Sequence, residues 1–279
     1  MRLGYNTNGL AHHSLPAAIE MLADLGYQSV AITLDHCCLN PYDDNFERNL
    51  NAAAELLATR GMRSVVETGA RYLLDPRHKH EPTLASPDDE QRLRRIGFLH
   101  RSIDAAAALG SDCVSLWSGR LADEDGRDEA MSRLADGLRR VVQYADERDV
   151  LLGFEPEPGM LIDGMAAYEE LADRLASPRL RLTLDVGHLH CLGETPIDAV
   201  IRRWSSRIVN VHIEDMRAGV HEHLMFGEGE IDFPPIIAAL AEVGYDGGIH
   251  VELSRHSHDG PVAAARAFNF LAPLIRHYA

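Results

Sequence analysis

Residues 180–212, LRLTLDVGHLHCLGETPIDAVIRRWSSRIVNVH, contain two short β-type runs with one helical pattern between them. The runs LRLTLD (180–185) and RIVNVH (207–212) are short, apolar and β-branched, as strands buried on both faces are. The pattern PIDAVIRRW (196–204) is typical of a helix. Since two parallel strands need a long crossover, usually a helix, the stretch predicts one βα unit of a parallel sheet.

The same unit recurs along the whole chain. Six further β-type runs are RLGYN (2–6), SVAITL (29–34), MRSVVET (62–68), DCVSLW (112–117), VLLGFE (150–155) and GGIHVE (247–252). A helical pattern follows each run, and three of these patterns end on a glycine, Gly26, Gly61 and Gly110, where positive φ costs little. Eight units with no break in composition predict a closed (β/α)8 TIM barrel of the α/β class, in one domain spanning residues 1–279. A doubly wound sheet is the competing fold, but it usually has fewer strands.

Composition and charge limit the function classes. The chain has 279 residues, 46% hydrophobic and 25% charged, which is typical of a globular enzyme-sized domain. Its net charge of -16 repels nucleic acid, so we expect no nucleic-acid partner. Four cysteines without a CxxC motif indicate a reduced protein, and no segment has the apolar length of a membrane span. We therefore expect a cytoplasmic protein with no membrane partner.

Four consecutive predicted strands end in side chains that can bind a metal: Glu155, Asp185, His212 and Glu252. In a barrel of this kind the carboxyl ends of the strands carry the chemistry, and strands one βα unit apart are neighbours. Three carboxylates at one rim repel each other unless a cation or shared protons intervene. Two glutamates, one aspartate and one histidine suit one divalent ion, Mn, Mg, Co or Zn. The sequence therefore predicts a single metal site at this rim.

Other side chains near the predicted rim allow two interpretations each. His221 and His223 alternate, so in an extended segment they face one side and could bind substrate or a second metal; otherwise they order their loop. Glu67 ends the third predicted strand and could reach the pocket. Trp117 could stack on a sugar or pack in the core. The long connection 69–87 is typical of a lid or binding loop, and its basic side chains could meet an anionic group or face solvent.

Five motifs together resemble those of the xylose isomerase-like barrels: FEPEPG (154–159), LDVGHLH (184–190), VHIED (211–215), GEGEIDF (227–233) and VEL (251–253). That superfamily includes sugar-phosphate isomerases and epimerases, ketose 3-epimerases, inosose dehydratases and endonuclease IV. The resemblance spans the barrel and is strongest between residues 150 and 253. The motifs are specific for the superfamily but not for one substrate.

The resemblance implies a metal-dependent isomerase or epimerase of a sugar, keto-sugar or sugar phosphate. The four strand-end side chains would hold the metal, and Glu155 and Glu252 would also act as catalytic base and acid. Such an enzyme removes a proton next to a carbonyl and passes through an enediolate. His188, three residues after Asp185, and Arg217 match positions that contact substrate oxygens. A homodimer or homotetramer is what the resemblance suggests.

Three other functions remain open on the same residues. Elimination in place of reprotonation would make a dehydratase or lyase acting on a keto-sugar or cyclitol. A zinc-dependent AP endonuclease would use His221 and His223 near its extra metals. That enzyme, however, has histidines at the ends of earlier strands, where this chain has Glu67 and Trp117-Ser118. A non-catalytic sugar-binding barrel would fit a missing acid or base, but both glutamates are present.

Overall fold

Eight parallel strands close into a barrel in the computed structural model, which describes residues 1–122 and 126–278. The strands of the described chain are β1 (Arg2–Asn6), β2 (Ser29–Thr33), β3 (Arg63–Glu67), β4 (Val114–Leu116), β5 (Leu152–Phe154), β6 (Leu180–Asp185), β7 (Ile208–Ile213), β8 (Asp215–Arg217), β9 (Val220–Leu224) and β10 (Gly248–Val251). Around the barrel the order is β1, β10, β7, β6, β5, β4, β3, β2. The predicted (β/α)8 barrel is confirmed, and each predicted strand overlaps an observed one.

Helices follow the barrel strands at the predicted places. They are α1 (Leu15–Leu25), α2 (Phe46–Arg60), α3 (Asp89–Leu109), α4 (Arg127–Glu147), α5 (Met165–Leu175), α6 (Val186–Cys191), α7 (Ile197–Trp204), α8 (Phe233–Glu242) and α9 (Gly260–Tyr278). The first three end on Gly26, Gly61 and Gly110, whose φ angles of 102°, 64° and 60° are left-handed. None of the described helices is long and apolar enough to cross a membrane.

Two features were not predicted from the sequence, and both lie at the carboxyl rim of the barrel. Helix α6 begins directly after β6, with the Asp185 side chain accepting a hydrogen bond from the backbone N–H of His188 at 2.7 Å. Strands β8 and β9 form a separate antiparallel hairpin after β7. Each feature brings histidines back over the barrel mouth.

The barrel interior is apolar at one level and polar above it. Ala31, Val65 and Cys113 form a small buried cluster inside the barrel, separate from the large core. The strand register then sets the polar rim, since Asp185 on β6 pairs with His212 on β7. His212 in turn pairs with His250 on β10, so adjacent strands end side by side.

Candidate metal centre

Glu155, Asp185, His212 and Glu252 meet at the carboxyl rim. One ligand atom from each of the four lies within 4.8 Å of the others. Nδ1 of His212 is 2.9 Å from Oε1 of Glu155 and 2.9 Å from Oε2 of Glu252. The same nitrogen is 3.9 Å from Oδ2 of Asp185. Asp185 and His212 are 3% and 1% exposed, so the cluster is largely shielded from water.

Hydrogen bonds at the ring edge that faces away from Glu155 fix the orientation of the His212 ring. Its Nε2 edge lies 2.9 Å from Oε1 of Glu67, which also accepts a bond from the Asn210 amide at 3.2 Å. Asn210 is bonded to His250 at 2.8 Å, and His250 to Ser29 at 2.8 Å. A carboxylate on the outer nitrogen is the usual partner of a metal-binding histidine. The chain of bonds therefore directs Nδ1 toward the carboxylates of the pocket.

The electrostatics of the cluster require a positive charge. Burial lowers the pKa of His212, but the carboxylates of Glu155, Glu67 and Glu252 outweigh it, and the net shift is strongly upward. For Glu252, burial raises the pKa but His212 brings it well below the ordinary value. A positive charge at this place, on the His212 ring or on a bound cation, would balance the carboxylates, which otherwise repel each other.

The donor set fits a divalent cation. Three carboxylates and one imidazole are hard oxygen and nitrogen donors, which suit Mn, Mg, Co or Zn. Oδ2 of Asp185 is buried and has no hydrogen-bond partner within residues 1–122 and 126–278, so this oxygen is left available as a ligand. Buried polar atoms are rarely left without a partner, and a cation would satisfy this one.

A second group of side chains, His188, His221 and His223, lies beside the first. Nε2 of His188 is 3.1 Å from Nε2 of His221, and the three rings are 4.8 to 6.0 Å apart. Nδ1 of His188 donates to the carbonyl of Pro156, and Nδ1 of His223 to that of Glu252. Nε2 of His188 therefore accepts the hydrogen bond from Nε2–H of His221, and Nε2 of His223 carries a lone pair. Burial and the neighbouring His188 lower the pKa of His221 to about 4, so its ring is neutral at neutral pH.

The sequence model of the xylose isomerase-like TIM barrel family matches residues 19–274. The chain belongs to the xylose isomerase-like TIM barrel family.

Relatives of this xylose isomerase-like barrel include sugar epimerases. L-ribulose-5-phosphate 3-epimerase UlaE of Escherichia coli K12 is 26% identical over 263 residues, 91% of this chain and 89% of that protein. A crystal structure of a D-tagatose 3-epimerase-like protein aligns with a TM-score of 0.80 at 20% identity, covering 99% of both chains. The IOLI protein, solved with a binding zinc atom, has a TM-score of 0.79 at 18% identity, covering 100% of this chain and 99% of that one. The epimerase relatives support an isomerase or epimerase activity.

The structure places the other predicted residues of the xylose isomerase-like barrel outside the two groups. Glu67 lies behind His212, on the ring edge away from Glu155. Arg217 is exposed at the end of β8, and its guanidinium donates to the carbonyl of Glu228 at 3.1 Å. Trp117 is 9% exposed and contacts the ring of His80 edge-on at 5.3 Å. Substrate contacts of these three residues stay predictions.

Three side chains at the site were missed in the sequence. The Asn8 amide donates to Oε1 of Glu252 at 2.8 Å. Glu214 is fully buried, and Asn210 supports His212 as described above. A signal was present for two of them, because Asn210, His212 and Glu214 alternate and so face one side of a strand. Asn8 follows β1 in a short 3-10 turn and left no such signal.

Gly187 in α6 is needed for the close packing of Glu214. A Cβ at this position would lie 1.9 Å from Oε1 of Glu214 and 2.8 Å from Cε of Met216. We expect Gly187→Ala to lower the free energy of unfolding by about 1–3 kcal/mol, as overpacking does. Gly97→Ala in α3 is the control; its Cβ meets no atom within 4 Å, so a gain of about 0.5–1 kcal/mol is expected. Urea unfolding of both variants measures this, and equal stabilities would contradict it.

The connection between β3 and α3 crosses the barrel mouth. The Arg71 guanidinium donates to the carbonyl of Asn8 at 2.9 Å and lies 3.5 Å from that of Ser254. These two residues follow β1 and β10, so the connection reaches past β2 to the part of the rim formed by β1 and β10. The ring of His80 donates from Nδ1 to the carbonyl of Gly69 at 2.6 Å and closes the connection on itself.

Acid is expected to loosen this connection through His80. Burial, helped by the nearby cations, lowers the pKa of His80 to about 4, below the roughly 6.5 of an unfolded chain. Between these two pKa values the unfolded state binds more protons than the folded state. The contribution of His80 to the free energy of unfolding is therefore complete above about pH 6.5 and is lost as the pH falls toward 4. His80→Gln removes this contribution, so urea unfolding at several pH values should show a shallower loss in the variant. Identical slopes would refute the assignment.

Proposed function

We propose that the protein is a metal-dependent isomerase or epimerase of a sugar or sugar phosphate. The observation that supports it most is the placement of Glu155 and Glu252 in one cluster with Asp185 and His212. The two glutamates come from β5 and β10, which are separated in the barrel by β6 and β7. Two carboxylates on different sides of one pocket are what proton removal and return on opposite faces of a carbon require.

Glu155, Asp185, His212 and Glu252 would hold one divalent ion. When bound there, the ion supplies Lewis-acid polarisation of a substrate carbonyl, which makes the neighbouring C–H bond acidic. The zinc atom bound in the IOLI structure, a protein of the same fold, supports the proposal of a divalent ion in this chain.

The chain's own residues then handle the protons. One glutamate takes the proton next to the carbonyl, and the other gives one back from the opposite face, which inverts that carbon through an enediolate. The Asn8 amide fixes the Glu252 carboxylate in place. The rings of His188, His221 and His223 lie beside Glu155 and Glu252, where they would contact substrate hydroxyls.

Epimerisation is favoured over the other functions by the relatives. One of them, L-ribulose-5-phosphate 3-epimerase, is named for an action on a ketose phosphate. The net charge of -16 argues against the nuclease alternative. A dehydratase or lyase would use the same four side chains, and the products distinguish it.

The test is proton exchange in deuterated water. Purified protein is supplied in turn with Mn, Mg, Co or Zn and incubated with ketopentoses, ketohexoses and their phosphates. Deuterium entering next to the carbonyl, together with a new epimer or an aldose, supports the proposal. Loss of water to a dicarbonyl product would assign the lyase instead. No exchange with any substrate and any of the four metals would refute it.

A further inference from the structure

Position 79 holds the only lysine of the sequence; every other one of the 27 lysine and arginine residues is an arginine. The two side chains are not equivalent. Lysine carries a compact ammonium with three donors on a flexible stem, whereas arginine carries a planar fork. Lys79 lies in the connection that crosses the barrel mouth, directly before His80.

Contacts of its neighbours fix where Lys79 stands. The backbone N–H of His80 donates to the carbonyl of Arg71, which brings residues 79 and 71 together. The His80 ring lies edge-on against Trp117, which directly follows β4. Lys79 is therefore placed between the Arg71 side of the mouth and the β4 side.

Three arginines lie at the same rim because each follows its strand at the same distance in sequence. Arg71, Arg120 and Arg255 each lie four residues beyond the last residue of their strand, β3, β4 and β10. In a parallel barrel all three positions fall at the carboxyl ends, where the metal centre also lies. Arg71 is connected to that centre through Asn8: it donates to the Asn8 carbonyl, and the Asn8 side chain donates to Glu252.

The charge at the barrel mouth differs in sign from that of the chain as a whole. The chain as a whole carries -16, and arginines on its outer helices pair with carboxylates, as Arg203 does with Glu169 at 2.9 Å. By contrast, within residues 1–122 and 126–278 no ion pair joins Arg71, Lys79 or Arg120 to a carboxylate, and of the cations at this rim Arg255 pairs with Glu222 at 3.1 Å. Three cations without a paired carboxylate and a fourth with one leave an excess of positive charge at this rim, which favours binding of an anion.

The electrostatic surroundings of Lys79 agree with this placement. Partial burial lowers the pKa of its ammonium, and after burial the strongest influences are Arg71, Glu157, Arg255 and Arg120. Glu157 is the one acid among them. Its own surroundings include Glu252 and Asp185, so it lies between the metal centre and the cations.

We propose that Lys79, Arg71, Arg120 and Arg255 form an anion subsite at the barrel mouth that binds the phosphate group of a phosphorylated ketose. Four cations from three loops match a phosphate monoester, which carries nearly two negative charges at neutral pH and three acceptor oxygens. The identity of the ketose as substrate rests on the proposed function; binding of phosphate at these residues does not.

Direct binding tests the subsite without catalysis. Protein labelled with ¹³C at the lysine ε-carbon gives one side-chain signal, because there is one lysine. Addition of inorganic phosphate should shift this signal in a saturable way, and the Arg71→Gln/Arg120→Gln double variant should weaken the binding at least 10-fold. Sodium chloride at equal ionic strength is the control. A phosphate response no larger than the chloride response would overturn the proposal.

Substrate preference is the second measurement. Loss of one charge-assisted hydrogen bond weakens binding about 10- to 100-fold. Lys79→Gln should therefore lower the ratio of kcat/KM for a ketose phosphate over the free ketose by that factor, mainly through KM. Lys79→Arg should restore part of it, and Arg276→Gln on the exposed end of α9 should keep the wild-type ratio. A wild-type enzyme that prefers the free ketose, or a keto acid, would overturn the proposal.

The two measurements separate this subsite from the proposed activity. A saturable phosphate shift in a protein that exchanges no substrate proton supports the subsite and removes the epimerase. Deuterium exchange into free ketoses, with no shift of the lysine signal by phosphate, contradicts the subsite and still supports the epimerase.

Discussion

Replacement of Glu252 by glutamine should slow epimerisation by roughly 10²–10⁴-fold, the usual contribution of a positioned acid or base. Glutamine keeps the size of the side chain and can still accept the Asn8 bond, but it cannot take up a proton at neutral pH. The measurement is the rate of epimer formation at saturating metal, so that weaker metal binding does not account for the loss.

Glu155→Gln should lose epimerisation to a similar extent, and together the two variants test the two-sided arrangement. With one carboxylate on each face, each variant should lose deuterium exchange from one epimer and retain it from the other. Glu169→Gln, an exposed residue that pairs with Arg203, is the matched control and should behave as wild type. Loss of exchange from both epimers in one variant, with none lost in the other, would mean that a single base serves both faces.

The barrel could be predicted because local and global signals agree. Strand β6 was predicted at residues 180–185 and is found there, since its run is short and rich in apolar and β-branched residues. The clustering of Glu155, Asp185, His212 and Glu252 could be predicted from position alone: each is the last residue of a predicted strand, and parallel strands end on one rim. Strands β4 and β5 are shorter than predicted, three residues each. At the end of β5, Glu155 leaves the strand and turns toward the site.

The parts that could not be predicted depend on contacts distant in sequence. One example is the Asp215 carboxylate, which accepts bonds from the backbone N–H groups of Gly227, Gly229 and Ile231. Those bonds join residues 12 to 16 positions apart, and no periodic pattern in the sequence predicts them. The hairpin β8–β9 depends on them, and it is this hairpin that carries His221 and His223 to the mouth.

Asp185→Asn should remove most of the stabilisation that a bound metal gives. Oδ1 of Asp185 holds the first turn of α6, and Oδ2 has no partner among the described residues, so the substitution can keep the fold while replacing a charged ligand. Substitution of groups that only support a ligand costs about 10- to 100-fold in metal affinity, so the loss of a ligand should reach at least about 100-fold.

The size of the effect follows from linkage. A metal at about 100 times its Kd stabilises the folded protein by about 2.7 kcal/mol, and a 100-fold weaker site at the same concentration gives only about 0.4 kcal/mol. Urea unfolding with Mn or Zn and with a chelator should show the larger difference in wild type and the smaller one in Asp185→Asn. Asp136→Asn, an exposed ion-pair residue of α4, should keep the wild-type response. If Asp185→Asn were stabilised as much as wild type, the cation would lie elsewhere, because only a group that touches the ion can change its affinity this much while the fold persists.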